Sequence, residues 1–100
     1  MAQITWTEPA LTDLGEIAEY IAVSNLPAAK MLVQKVFDTV ARLEAFPESG
    51  RLPPELMNLN YREVIVNPCR IFYKTENEVV FILHVMRQER DLRKFLLQVI

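Results

Sequence analysis

"VVFILHV", residues 79 to 85, is the stretch of sequence that decides the fold. Its apolar side chains, continued by the next residue, fall on two alternating faces: Phe81, Leu83 and Val85 on one, Val80, Ile82 and Met86 on the other. A strand with one side in water alternates apolar and polar residues, whereas a strand covered on both sides is apolar throughout. The pattern therefore predicts a central strand that is covered on both faces.

Three further segments are predicted to be strands of the same sheet: "QITWT" at residues 3–7, "YREVIV" at residues 61–66 and "CRIFYKT" at residues 69–75. Each is short and rich in β-branched or aromatic residues. Asn67 and Pro68 separate two of these segments and are typical of a tight turn. "TENE", residues 75–78, predicts the turn into the central strand.

Two amphipathic helices are predicted between the first strand and the others. Thr7 is a candidate cap for the first helix, whose apolar stripe is Leu11, Leu14, Ile17, Ala18 and Ile21. Asn25 is a candidate cap for the second helix, whose stripe is Ala29, Leu32, Val36, Val40 and Leu43. The second helix must end by Phe46, since Pro47 disfavours helical geometry in the residue before it. Helices joined by so short a loop fold back as an antiparallel hairpin.

These elements predict a single α+β domain over residues 1–100. An antiparallel helix hairpin packs on one face of a mostly antiparallel four-stranded sheet, and "DLRKFLLQVI", residues 91–100, adds a short C-terminal helix or tail. The other sheet face, bearing Arg70, Phe72 and Lys74, is then left for the tail, for solvent or for another chain.

Composition and charge narrow the classes of function. With 11 basic and 13 acidic residues, a net charge of −2 and a pI near 5.4, the chain lacks the overall positive field from which nucleic-acid binders gain most of their affinity. Cys69 is the only cysteine, so no intrachain disulfide can form. The first residues lack a signal-peptide pattern, and no apolar run is long enough for a membrane span. We therefore expect a cytoplasmic protein without a membrane partner.

Few side chains are suited to chemistry. One histidine and one cysteine do not make a metal site, and no phosphate-binding glycine loop is present, so we expect neither a metal nor a cofactor. Cys69 and His84 could form a nucleophile and base on adjacent strands. The simpler interpretation is that Cys69 is a small buried thiol and His84 a partly buried strand histidine bonded to a neighbour.

Phosphodiester cleavage without a metal is the remaining chemistry. It needs a base, cationic groups on the phosphate and an acid; the candidates are Glu63, Tyr73, His84, Arg62, Arg70, Arg87 and Arg90. His84 and Arg87, three residues apart, point to opposite faces of a regular strand. Structural explanations also exist: cross-strand pairing with Glu63 or Glu78 for Arg62 and Arg70, a local pair for Arg90, and a plain turn at "PESGR" with Arg51 in solvent.

Four pieces of the chain, in this order, resemble the RelE/ParE superfamily of bacterial type II toxins, closest to its ParE branch: "FPESGRLPPEL", "YREVIV", "CRIFYK" and "VVFILHVMRQERDL". The resemblance runs from Ile4 to about Arg93. It implies the same helix hairpin on a curved antiparallel sheet, and a toxin held in a hetero-oligomer by a cognate antitoxin. ParE-type members poison DNA gyrase, whereas RelE-type members cleave messenger RNA on the ribosome.

The acidic balance favours the ParE branch, because docking on ribosomal RNA demands a basic protein. The resemblance places Arg70 at the position of a catalytic arginine of the nucleases, but Cys69, Arg87 and Gln88 depart from their pattern. We therefore expect a gyrase inhibitor that binds its target through Arg62, Arg70, Arg87 and Arg90, and an antitoxin that covers Phe72, Phe95 and Leu96.

Two alternatives stay open. One is a ribosome-dependent mRNA endonuclease that uses Arg70, Arg87, Glu63 and Tyr73. The other is an inactive relative whose only role is to bind the antitoxin.

Overall fold

A computed structural model describes residues 1–56 and 59–88 of the chain. Its elements are strand β1 (Gln3–Trp6), helix α1 (Glu8–Ser24), helix α2 (Leu26–Ala41), short 3-10 turns at Arg42–Glu44 and Pro54–Leu56, and strands β2 (Arg62–Val66), β3 (Cys69–Glu76) and β4 (Val79–Arg87). The four strands form one sheet in the order β1-β4-β3-β2. Only the β1-β4 pair is parallel. The α+β architecture predicted from the sequence is confirmed, and β4 is central.

Both helices begin at the predicted caps. The Thr7 hydroxyl accepts the Ala10 backbone N–H at 3.4 Å, and the Asn25 side chain accepts the Ala28 N–H at 3.0 Å. Each cap satisfies one N–H that has no partner inside its helix. One residue of the predicted stripe is wrong, because Leu11 is 46% exposed while Ala10 is fully buried. At the start of α1 the buried side therefore begins at Ala10 instead of Leu11, while Leu14, Ile17 and Ile21 pack on the core as predicted.

The core lies between the helix hairpin and one face of the sheet. Leu14, Leu32, Val36 and Val40 from the helices pack there against Cys69, Ile71 and Tyr73 of β3 and Val80, Ile82 and Val85 of β4. A second, smaller cluster on the other face joins Phe72, Met86 and Leu56. The two faces of β3 therefore alternate as a regular strand requires.

A β-bulge in β4 corrects the predicted alternation of that strand. Phe72 pairs with His84 but Tyr73 pairs with Ile82, so Leu83 is an extra residue. One extra residue moves every later side chain to the opposite face. Val85 therefore joins Val80 and Ile82 in the main core, whereas the sequence pattern grouped it with Phe81 and Leu83.

The β3-β4 hairpin closes through a two-residue turn. Asn77 and Glu78 have φ angles of 51° and 64°, and Glu76 pairs with Val79. Positive φ at both central residues gives a turn whose twist matches that of the strands. The predicted turn at "TENE" is confirmed. No helix among the described residues has the length and apolar character needed to cross a membrane.

Candidate functional site

A buried ionic cluster lies on the sheet face away from the helices. The Arg70 guanidinium donates from Nε to Oε1 of Glu63 at 2.8 Å, and from Nη1 and Nη2 to the two oxygens of Glu55 at 2.7 Å each. Arg51 donates from Nε to the other Glu63 oxygen at 2.9 Å. Arg70 is 6% exposed and Glu63 only 1%. Two arginines and two glutamates thus form one connected network.

Electrostatics lock Arg70 in its charged form. The hydrogen bond to Glu55 raises the pKa of the guanidinium above its ordinary value, burial opposes this, and Glu63 adds to the increase. The guanidinium carbon also lies 4.9 Å from the centre of the Phe72 ring. Arg70 is therefore held by two carboxylates and one aromatic ring.

Two backbone hydrogen bonds and the side chain of Tyr73 are among the contacts that fix the segment before β2 to the sheet. Arg51 and Glu63 exchange both backbone hydrogen bonds, at 2.8 and 3.0 Å. The Tyr73 hydroxyl accepts the Gly50 N–H at 2.8 Å and donates to the Pro47 carbonyl at 2.9 Å. Tyr73 is fully buried, and burial raises the pKa of its hydroxyl. Its oxygen anchors the loop from inside the core.

Close packing explains the glycine of "PESGR". A Cβ on Gly50 would lie 2.7 Å from the Tyr73 ring and 2.8 Å from the Glu63 carbonyl oxygen. Real Cβ atoms essentially never come so close, so no other residue fits without movement. The expectation that Arg51 is simply in solvent is wrong in part, because its side chain is 60% exposed but paired with Glu63. The segment "PESGR" is therefore packed against the sheet as part of the site.

The only histidine is oriented by a carboxylate. Asp13 Oδ2 of helix α1 lies 3.2 Å from His84 Nδ1 and accepts the Val85 N–H at 3.1 Å. The hydroxyl of Thr7 donates to the Ile82 carbonyl at 2.6 Å. The expected bonding of His84 to a neighbour is confirmed, with a partner that the sequence did not indicate.

An apolar groove of about 380 Å³ opens beside this histidine. Besides Thr7 and His84, its walls are Pro9, Leu56, Tyr61, Phe72 and Leu83. Phe72 is only 2% exposed and packs against Met86 and Leu56. The predicted antitoxin contact Phe72 therefore lines this groove but leaves little of its own surface exposed.

The predicted cationic residues are divided between the two faces of the sheet. Arg87 pairs with Cys69 in the ladder, and its guanidinium lies 5.8 Å from the ring of Tyr20 on α1. Arg70 pairs with Met86 and lies on the opposite face. Arg62 donates to the Gly50 carbonyl at 2.8 Å. Arg70 and Glu63 are thus brought together, while Tyr73 is in the core and Arg87 on the helix side.

Other predicted residues are placed as follows. Cys69 is fully buried in the main core, as the simpler interpretation required, and its ladder partner is Arg87, not His84. Arg90, Phe95, Leu96 and the predicted C-terminal helix or tail lie outside the described residues. Across residues 1–56 and 59–88, no three or more His, Cys, Asp or Glu side chains are grouped to hold a metal ion.

Sequence reasoning missed two residues of the site. Glu55 lies in a proline-rich loop, and Asp13 lies between the apolar stripe positions of an amphipathic helix. Neither has a motif or a periodic position that marks it as a partner of Arg70 or His84. Only the tertiary contacts identify them.

Comparison with known proteins agrees with this fold. The model of the family described as "ParE toxin of type II toxin-antitoxin system, parDE" matches residues 4–92. Toxin RelE2 of Caulobacter vibrioides is 33% identical over 91 residues, which cover 90% of this chain and 99% of that protein. A chain from the solved structure "Chromosomal ParDE TA system from P. aeruginosa" superposes with a TM-score of 0.75 at 24% identity, covering 89% of this chain and 98% of that one. The chain therefore belongs to the ParE toxin family of the RelE/ParE superfamily, whose members are the toxins of type II toxin-antitoxin systems.

Proposed function

We propose that this toxin arrests growth by binding DNA gyrase and trapping its cleaved DNA complex, without cutting a phosphodiester bond itself. The observation that carries the proposal is the state of Arg70. Its guanidinium is already bound by Glu55 and Glu63, so the arginine expected on the phosphate of a nuclease substrate is occupied by two carboxylates. A phosphate would have to displace one of them.

The positions of the other nuclease candidates support the same proposal. General acid-base catalysis requires its groups within hydrogen-bond reach of one reacting centre. The Tyr73 hydroxyl is buried and bonded to the loop, and Arg87 lies on the opposite sheet face from Arg70. The net charge of −2 also opposes docking on ribosomal RNA.

The alternative, a ribosome-dependent mRNA endonuclease, is favoured by two observations. A relative with 33% identity is called Toxin RelE2. The Asp13 carboxylate orients the His84 ring, and an oriented histidine is suited to act as a general base. In this alternative His84 would replace the predicted set built on Glu63 and Tyr73.

Two assays with the same purified protein separate the targets. We expect inhibition of gyrase supercoiling and stabilised cleaved DNA, and no new 5′ ends on a defined message in translating ribosomes. Site-specific message cleavage with supercoiling untouched would reverse the assignment to gyrase.

A variant tests the cationic residues that we propose for gyrase binding. Arg87→Ala combined with Arg90→Ala should abolish growth arrest on expression while the protein stays folded. Arg42→Ala, which removes an exposed arginine after α2, is the matched control and should arrest growth like the unmodified toxin. Persistence of full arrest in the double variant would show that these arginines do not bind the target.

Membership of the family implies an antitoxin partner. We propose that the antitoxin fills the groove above Phe72 and contacts Phe95 and Leu96 with an added strand or an amphipathic helix. Tyr61→Ser at the groove should weaken binding to the protein encoded by the adjacent reading frame, whereas Met31→Ser, on the exposed side of α2, should not. Equal binding by both variants would place the antitoxin elsewhere.

A further inference from the structure

Arg70 is bound by its two carboxylates in different ways. Glu63 belongs to strand β2, its side chain is fully buried, and its shortest contact is with Nε. Glu55 belongs to the 3-10 turn Pro54–Leu56 outside the sheet, and its two oxygens face Nη1 and Nη2 in parallel at 2.7 Å. This two-oxygen geometry is the one with which arginine binds phosphate.

The outer carboxylate also borders an open space. A cavity of about 460 Å³ is lined by Glu55 and Arg70 together with Arg51 and Gln88. The Glu55 side chain is 16% exposed, whereas that of Glu63 is 0% exposed. Glu55 could therefore leave Arg70 towards solvent while Glu63 stays in the sheet.

The net charge of the side chains around Arg70 depends on Glu55. Arg51, Arg70, Glu55 and Glu63 carry two positive and two negative formal charges, so these four side chains together have no net charge to attract an anion. Without the Glu55 carboxylate the remaining three side chains carry one net positive charge next to the open cavity. A phosphodiester oxygen pair could then take the place of the two Glu55 oxygens.

We infer that Glu55 is a built-in substitute for a phosphodiester on Arg70, and that it excludes nucleic acid from this site. Glu55 is thus a specificity residue: it keeps a cationic position of the toxin closed to RNA and DNA backbones. This role of Glu55 does not depend on gyrase being the target, because it affects only whether Arg70 can bind a phosphate.

Anisotropy of labelled oligonucleotides tests this. Glu55→Gln keeps the size of the side chain and removes its charge, and should bind a single-stranded RNA and the single-stranded DNA of the same sequence about tenfold more tightly than the unmodified protein. Glu48→Gln removes the same charge from an exposed position of the same loop, and should stay within about twofold of the unmodified protein. A gain in affinity for both nucleic acids identifies the phosphodiester as the ligand. A gain in affinity for RNA alone indicates an additional contact to ribose.

A second variant tests whether the increased affinity for oligonucleotides depends on Arg70. This increase should disappear in Glu55→Gln combined with Arg70→Gln. If it persists there, or if Glu55→Gln and Glu48→Gln bind alike, the inference is wrong. These outcomes are independent of the supercoiling assay, which uses the unmodified toxin.

Thermal unfolding tests the site even if Glu55→Gln is less stable than the unmodified protein. Such a loss is expected, because removing one partner of a buried ion pair destabilises a fold. Pyrophosphate should raise the melting temperature of Glu55→Gln, since an anion that binds only the folded state stabilises it. The unmodified protein and Glu48→Gln should show no such increase. An equal increase in all three proteins would contradict a site on Arg70.

Discussion

The carboxylate of Asp13 lies 3.2 Å from Nδ1 of His84 and also accepts the backbone N–H of Val85 at 3.1 Å. Strand β1 pairs with β4 only as far as Ile82, so the N–H groups beyond it need another acceptor on that edge. Helix α1 supplies one through Asp13, directly after the bulge at Leu83. The same side chain thus orients the histidine and closes the open edge of the central strand.

Asp13→Ala should lower the free energy of unfolding by about 1 to 3 kcal/mol, because it leaves the partly buried Val85 N–H without this acceptor. Asp38→Ala is the matched control, since Asp38 is exposed and its side chain accepts a hydrogen bond from Gln34 on the same helix. It should change stability by less than about 0.5 kcal/mol. Urea unfolding of both variants measures the difference, and equal midpoints would remove Asp13 from the stabilising contacts.

Alanine at the two glycines should have opposite effects. Gly50→Ala would push a Cβ against Tyr73 and the Glu63 backbone and should destabilise the protein by about 1 to 3 kcal/mol. Gly15→Ala meets nothing within 4 Å in helix α1 and should stabilise it by about 0.5 to 1 kcal/mol. Thermal unfolding monitored by circular dichroism checks both signs. A neutral Gly50→Ala would mean that the loop moves away from Tyr73 at little cost.

Tyr73 should make the fold sensitive to alkaline pH. Burial raises the pKa of its hydroxyl above the ordinary value near 10, so the unfolded chain releases this proton first. The stabilisation is fully present below about pH 10 and is lost as the pH rises through the higher folded-state pKa. Unfolding free energies measured from pH 8 to 11 should therefore fall more steeply for the unmodified protein than for Tyr73→Phe.

Tyr73→Phe should also cost about 1 to 3 kcal/mol at neutral pH, since the Gly50 N–H and the Pro47 carbonyl lose their partner. Tyr20→Phe, at a ring that is 72% exposed, is the control for both measurements. Identical alkaline slopes in all three proteins would show that another group controls the pH dependence.

Replacing one partner of the buried pair Arg70–Glu63 should lower the free energy of unfolding more than replacing both partners. Arg70→Met leaves Glu63 buried with Arg51 as its remaining partner in this cluster, and should cost about 3 to 5 kcal/mol. Arg70→Met combined with Glu63→Met removes both charges and should recover part of this loss. Lys74→Met breaks a partly exposed pair with Glu76 at the sheet surface and should cost less than about 1 kcal/mol. Strictly additive losses in the double variant would contradict a coupled pair.

Local sequence signals were sufficient for the elements and their order. Periodicity located both helices and the four strands, because a helix and a strand repeat their buried side with different periods. The caps Thr7 and Asn25 and the turn at Asn77 and Glu78 are also local, since each depends on residues a few positions apart. The structure confirmed each of these predictions.

The bulge and the ionic cluster needed the tertiary structure. A bulge at Leu83 leaves no mark on a run that is apolar throughout, yet it decides which face Val85 and Met86 occupy. Glu55 and Asp13 meet Arg70 and His84 across 15 and 71 residues of chain. Such charge partners carry no periodic signal.

By itself, then, the sequence determined the α+β fold of a RelE/ParE-superfamily toxin with a central apolar strand. The tertiary structure alone decided that Arg70 is closed by Glu55 and Glu63 and lies on the opposite face from Arg87. The physical reason is the distance along the chain over which each signal acts. Hydrophobic periodicity depends on neighbouring residues, whereas the pairing of buried charges is fixed only when distant segments pack together and exclude water.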